Sequence, residues 1–221
     1  MNQLKNEIAH QLEMERMEWK SLIYGKDESL PYQGYERIGL KGCRSTEKRF
    51  KEYNINKYLD NTKTVLDIGS NMGLVSIYLT DYVKKVVGIE INPYLVNIGN
   101  AVKNELQLSN VEFTKTRFED YNTDEKFDII LSLANDHTID KNTQFTLFEY
   151  LKKIISLLKK DGLLLFESQA TDVQNKFIRA VKFGPKVKVI EDSFTILERK
   201  KVESEYPTSI PHREFLVCKK K

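Results

Sequence analysis

From residue 63 onward the chain alternates short, almost unbroken β-rich apolar runs with longer amphipathic ones, and this alternation leaves few folds open to it. Thr64–Ile68, Lys85–Glu90, Val111–Lys115, Phe127–Leu133 and residues 163–167 read as strands. Their near-continuous apolar character is that of parallel strands covered on both faces. Helical spacing marks residues 74–82, Pro93–Glu105 and residues 143–159 between them. Pro93 suits a first helical turn, where its missing N–H costs nothing. Lys160-Asp161-Gly162 supplies a lysine-rich last turn and a glycine that stops the third helix. Strand, helix and strand in this order predict an open, mostly parallel α/β sheet with right-handed crossovers.

Two further apolar runs, 187–197 and 214–218, follow a short helix expected near 172–181. A polar stretch with Pro207 and Pro211 separates them, and they read as late, antiparallel strands closing one edge. The first 60 residues form a helical extension ahead of a domain spanning 61–221. Leu4, Ile8, Leu12, Trp19, Leu22 and Ile23 share one face of a helix, which suits a cap on the sheet or on a second copy in a homodimer. Residues 30–42 hold Pro31 and three glycines and read as irregular, with a second helix over 46–59.

Bulk properties exclude several classes. No apolar run approaches the ~20 residues that span a bilayer, and no secretory core is present, so a cytoplasmic protein without a membrane partner is expected. A net charge of +3, from 35 basic and 32 acidic residues, does not by itself point to nucleic acid. Cys43 and Cys218 suit a reducing compartment, and the histidines at 10, 137 and 212 have no metal-ligand spacing.

The strongest local signal is Val65-Leu66-Asp67-Ile68-Gly69-Ser70-Asn71-Met72-Gly73: a strand, a turn with two glycines, then an apolar helix from Leu74. A strand end beside a helix N-terminus is where open α/β sheets bind nucleotides, and Gly69 lets a ligand approach the main chain. Glu90 ends the next strand, 23 residues after Asp67. That is near the ~20-residue spacing at which an acid grips the paired hydroxyls of a ribose.

Together these residues resemble the class I S-adenosylmethionine-dependent methyltransferases. The nine residues from Val65 stand where that superfamily has its glycine-rich first motif, and Gly88-Ile89-Glu90-Ile91-Asn92 where it has its ribose-binding acid. Phe127-Asp128-Ile129-Ile130-Leu131-Ser132 looks like its fourth strand, and Lys160-Asp161-Gly162-Leu163-Leu164-Leu165 like the entry to its fifth. The resemblance covers roughly residues 60–170. It implies a Rossmann-like sheet of about seven mostly parallel strands, the last antiparallel, with helices on both faces. A nicotinamide enzyme needs a second glycine where Asn71 stands, so that the backbone can reach a pyrophosphate. S-adenosylmethionine has no phosphate and tolerates the change.

Carried over residue by residue, the resemblance implies a cofactor set of Asp67, Gly69, Ser70, Asn71, Gly73, Glu90, Ile91, Phe118, Ser132 and Arg44. Asp67 and Gly69 line the methionine end, Ile91 packs on the adenine face and Phe118 lies by the adenine edge. Arg117 stands where the family often has an acid for the adenine amino group, which shifts that contact to Glu119, Asp120 or the backbone. Asn135-Asp136-His137 follows the fourth strand, where methyl and acceptor meet. His137 is the candidate catalytic base and Asp136 its orienter or a second candidate; a surface or structural histidine accounts for His137 equally well. Glu167 is a weaker substrate-contact candidate.

Gly42-Cys43-Arg44-Ser45-Thr46-Glu47-Lys48-Arg49 resembles a Gly-x-Arg-x-Thr-x-x-Arg pattern of bacterial glycan and small-molecule methyltransferases, and of some tRNA-wobble modifying relatives. Arg44 is a candidate for the cofactor carboxylate or an anionic substrate. Arg49 reads as a solvated charge on a Ser/Thr-capped helix. The leading expectation is transfer of a methyl group to a hydroxyl of a sugar, glycan or small polar acceptor. RNA methylation is the alternative among enzymes, and a non-catalytic cofactor-binding subunit the alternative outside them.

Overall fold

The computed structural model describes residues 2–19, 30–135, 144–168, 176–203 and 212–221. Seven strands form one sheet: β3 (Thr64–Ile68), β4 (Lys85–Glu90), β5 (Val111–Lys115), β6 (Phe127–Leu133), β7 (Leu158–Glu167), β8 (Phe194–Glu203) and β9 (His212–Lys220). Their order is β5-β4-β3-β6-β7-β9-β8. The first five are parallel, whereas β9 runs antiparallel to both β7 and β8. This is the Rossmann-like sheet expected from the sequence.

Alternation along the strands divides the core into two layers. Leu66, Ile68, Ile130, Leu164 and Phe166 pack with Tyr150, Leu151 and Ile154 of α5 (Leu147–Leu157) and with Val187 and Ile190 of α6 (Lys176–Ser193). Val65, Ile129, Leu131 and Leu165 face the other way. They meet Phe50 and Tyr53 of α2 (Thr46–Tyr53) and Val75 and Leu79 of α3 (Leu74–Leu79). A third cluster joins Leu4, Ile8 and Leu12 of α1 (Asn2–Met14) to Leu95, Ile98 and Val102 of α4 (Pro93–Glu105). No described helix is long and apolar enough to cross a membrane.

Several boundaries differ from the sequence expectation. The expected strand over 187–197 begins only at Phe194, because Val187 and Ile190 lie three apart and both bury as the inner face of α6. The third helix starts at Leu147, set by a capping box between Thr146 and Glu149, and β7 begins at Leu158 without a loop. Asp161, not Gly162, takes the left-handed conformation there (φ 61°). The second helix stops at Tyr53, where Asn54 turns left-handed, and a 3-10 turn covers Asn56–Tyr58. Past Met14 the first helix widens into a π turn, Glu15–Trp19, which leaves Trp19 exposed; Leu22 and Ile23 lie outside the described residues. The segment 30–42 is not wholly irregular, since β1 (Gln33–Gly34) pairs in parallel with β2 (Arg44–Ser45).

Phe113 of β5 decides how closely α3 and α4 approach the sheet. A Cβ added at Gly73, Gly88 or Gly99 would lie 2.4, 2.7 or 3.2 Å from that one ring. Overlap of this kind costs about 1–3 kcal/mol. We expect Gly88→Ala to lower the denaturant midpoint by an amount in that range, and Phe113→Leu to recover part of the loss in the double variant. Equal losses in both backgrounds would mean the ring is not the constraint.

Candidate functional site

Parallel strands bring their carboxyl ends to one edge of the sheet: Ile68 pairs with Ile89 and Ser132, and Leu133 with Glu167. The turn from β3 into α3 is built from three left-handed residues, Gly69 (φ 65°), Asn71 (φ 54°) and Gly73 (φ 74°). Asparagine is among the few side chains that accept this conformation readily. Ser70 N donates to the Ile89 carbonyl at 2.9 Å, and Asn71 N to Glu90 Oε2 at 2.9 Å. Glu90 Oε1 accepts from Ile91 N (2.8 Å) and Asn92 N (3.0 Å). Three main-chain donors therefore fix this carboxylate, which is 7% exposed, against the turn.

Beside it opens a cleft of about 360 Å³ lined by Ile68, Gly69, Ile89, Glu90, Ile91, Thr116, Arg117, Phe118, Asn135 and Tyr150. Apolar side chains make its floor. Phe118 and Tyr150 meet edge to face, centroids 5.0 Å apart, and the Tyr150 hydroxyl shares a hydrogen bond of 2.9 Å with Ser132 Oγ. Lys153 Nζ stands 5.3 Å from the Phe118 centroid on the same helix as Tyr150. The Asn135 carboxamide donates to the Ile68 carbonyl and rests over Gly69, where a Cβ would come within 2.7 Å of it. Glycine at that point leaves the room that the Asn135 carboxamide takes up.

Gly69, Glu90, Ile91 and Phe118 are thus brought together, and Asn71 joins them through its N–H. Ser132 reaches the cleft only through Tyr150. Ser70 is buried, and Gly73 caps α3. Asp136 and His137 lie outside the described residues. Thr116, Arg117, Asn135 and Tyr150 line the cleft but were not among the expected cofactor residues. Asn135 stood beside the Asp136-His137 pair in sequence, and Arg117 as the family's missing acid. Tyr150 carried no local signal, because only the docking of α5 brings it there.

Asp67 does not line the cleft. It is 2% exposed, faces α3 and accepts from Ser76 Oγ at 2.6 Å. Burial raises its pKa to about 6, with Ser76 and Arg49 opposing the shift.

The Glu167 carboxylate ends β7 fully buried, and it collects most of the remaining polar groups. Arg44 grips it with two nitrogens (Nη2 to Oε1 2.8 Å, Nη1 to Oε2 3.2 Å). Arg49 Nη2 donates to Oε2 at 3.3 Å, Tyr53 Oη to Oε1 at 3.0 Å, and Arg213 Nη1 lies 3.9 Å from Oε2. Burial would raise the carboxyl pKa, but the three guanidinium groups hold it well below the ordinary carboxylate range. Arg44 is thus placed on Glu167. Arg49, expected in solvent, is 3% exposed. The Ser45 cap does form, accepting from Lys48 N, and it sets a register in which Thr46, Arg49, Phe50 and Tyr53 share the inward face of α2.

Because the folded-state pKa of Asp67 lies above the ordinary 3.8 of an aspartate, the fold holds this proton where the unfolded chain has released it. Its contribution to stability therefore falls as pH rises from about 4 to about 6 and is constant beyond. Asp67→Asn, which still accepts from Ser76, should gain on the order of 2–3 kcal/mol relative to wild type between pH 4 and 7. Urea titrations of both proteins across that range check this; a gap independent of pH would refute the shift.

A family model described as a methyltransferase domain matches residues 59–206, more than half of the chain. No curated protein matches the sequence. Among solved structures, the N-methyltransferase NodS from Bradyrhizobium japonicum WM9, in complex with S-adenosyl-L-homocysteine, superposes with TM-score 0.61 at 15% identity, covering 78% of this chain and 84% of that one. YcgJ from Bacillus subtilis gives TM-score 0.60 at 14% identity over 77% and 98%. An rRNA methylase from Streptococcus thermophilus gives 0.55 at 15% over 79% and 97%. At these identities the superpositions speak for the fold, and the domain match, the strand order and the glycine-and-acid turn agree with them. The chain belongs to the class I S-adenosylmethionine-dependent methyltransferases.

Proposed function

We propose that this methyltransferase acts on a hydroxyl of a sugar, glycan or other small polar acceptor. The observation that carries the choice of a small acceptor is the position of its arginines. Arg44, Arg49 and Arg213 lie inside the protein around Glu167, not across a face. Phosphate-backbone binding draws on surface cations that release counterions. Along the edge of the sheet such cations face acids: Arg199 Nε lies 3.1 Å from Glu214, Lys200 Nζ 3.7 Å from Glu198, and Lys48 Nζ 2.8 Å from Glu203.

S-adenosylmethionine supplies an electrophilic methyl on a sulfonium, so the chain's work is to hold, align and accept a proton. Glu90 is the ribose acid, pre-oriented by its three N–H donors. Ile91 and Phe118 bound the adenine, with Tyr150, held by Ser132, bracing Phe118. Gly69, with Ser70, Asn71 and Gly73 shaping its turn, faces the methionine end, together with the Asn135 carboxamide that rests over it. Asp67 supports that end from beneath, through Ser76 and α3. His137 is the proposed base for the acceptor hydroxyl and Asp136 its orienter; both follow Asn135, a cleft residue, directly in the chain.

Calorimetric titration with S-adenosylhomocysteine tests the cofactor assignment. Wild type should bind, and Glu90→Ala should bind at least tenfold more weakly, about 1.4 kcal/mol. Equal affinity in the two would overturn the role of Glu90. In a methyl-transfer screen beginning with sugars, His137→Ala should lower kcat by about 10²–10⁴-fold while leaving S-adenosylhomocysteine affinity unchanged; undiminished turnover would remove it as base.

A further inference from the structure

We propose that the arginine cluster around Glu167 anchors an anionic group, a carboxylate or a phosphate, carried by the methyl acceptor. The acceptor class then becomes an acidic sugar or similar small anion, an assignment that rests on the small-acceptor reading above.

Charge is the first argument. Three guanidinium groups, all at least nine-tenths buried, converge on a single carboxylate. Among the described residues, Glu167 is the one carboxylate in ion-pair contact with them, so positive charge exceeds negative there. Excess charge of this kind costs several kcal/mol in a protein interior, and an incoming anion offsets it. Among the described residues, two further acids lie close by. Glu214 follows Arg213 along β9, points to the opposite face and meets Arg199 at 3.1 Å. Asp67, on the same face as Glu167, accepts from Ser76 and meets Arg49 only through space.

Unused donors are the second argument. Arg44 Nε, Arg213 Nε and Thr46 Oγ1 are buried and have no hydrogen-bond partner among the described residues. A buried donor left unsatisfied costs about 1–3 kcal/mol; two of these belong to the cluster itself and Thr46 shares the inward face of α2 with Arg49, which suits an acceptor-rich ligand. Guanidinium forks match carboxylate and phosphate oxygens best. Tyr32 registers the same excess charge. Its hydroxyl accepts from Arg44 Nη1 at 3.0 Å; burial would raise its pKa, yet Arg44, Arg213 and Arg49 together draw it down to about 8.

Position is the third. Ala134 N donates to the Glu167 carbonyl at 2.8 Å, and the next residue, Asn135, lines the cofactor cleft. An anion held by the cluster therefore stands one strand away from that cleft, at the edge where an acceptor must arrive.

The probes are inorganic phosphate and succinate, titrated calorimetrically against chloride at matched ionic strength, with and without saturating S-adenosylhomocysteine. Wild type should bind one of them saturably, phosphate indicating a phosphorylated acceptor and succinate a carboxylated one. Arg213→Gln, which removes the cation farthest from Glu167, should weaken that binding at least tenfold. Thr46→Val should weaken it several-fold while leaving the anion-free protein as thermostable as wild type or more so, since its hydroxyl is unsatisfied there; this variant decides the matter should Arg213→Gln fail to fold. Absence of saturable binding of both anions to wild type, or wild-type affinity in both variants, overturns the proposal. Anion binding without S-adenosylhomocysteine binding would instead count against the cofactor assignment and leave the anion site standing.

Discussion

A carboxylate with no exposure to water has to be answered by charge and hydrogen bonds, and the way Glu167 is answered organises much of this molecule. Arg44 precedes it by 123 positions and Tyr53 by 114, so the partners come from the segment ahead of the sheet. Removing one partner from a buried pair typically costs 3–5 kcal/mol, more than most single packing contacts. The pairing therefore fixes α2 over the carboxyl ends of the strands. Tyr53, stacked on Phe215 at 4.3 Å and 9°, extends the same contact from β7 to β9. The antiparallel strand and the N-terminal segment are thereby held by one group.

Glu90 works on the neighbouring strands with main-chain donors in place of arginines. Its three N–H partners come from the β3–α3 turn and from the start of the segment leading into α4, so one carboxylate sets the separation of two helix entries. Asn92 then caps α4, accepting from Tyr94 N at 3.0 Å, and donates to Glu15 at 3.2 Å. The same few residues that shape the cleft also seat the N-terminal helix against α4. Preorganisation of this kind lets a site bind without first rearranging its acid.

What was legible in the sequence follows from how local each cause is. The five parallel strands were readable because burial on both faces writes itself as continuous apolar runs. Gly69 and Glu90 were readable because a tight turn and a strand-end acid are local requirements. The strand expected from Val187 failed for a definite reason: a short apolar run satisfies helical and strand periodicity alike, and tertiary packing against α5 chose the helix. Arg49 failed because a capped helix start is compatible with either face inward. Only its partner, 118 residues away, decides which. Tyr150 and Arg213 have the same non-local origin. Ser132 was read as a ligand contact, yet it is buried behind Tyr150 because alternation along β6 turns it toward α5.

That alternation also bears on how donor and acceptor can meet. Ile68 and Ile89 belong to the layer shared with α5, and they line the cleft. Glu167 pairs in register with Leu133 and Phe215, whose side chains pack with the α2 and α3 layer. The cleft and the arginine cluster are thus on opposite faces of the sheet and meet only at its carboxyl edge, beside Asn135. Methyl transfer needs the acceptor atom, the methyl and the departing sulfur in line. A cofactor held in the cleft and an acceptor anchored at the cluster, as proposed above, would approach that edge from opposite sides. The two-residue period of the strands is what puts the cleft and the cluster on opposite faces, and an in-line displacement calls for donor and acceptor that arrive from opposite sides.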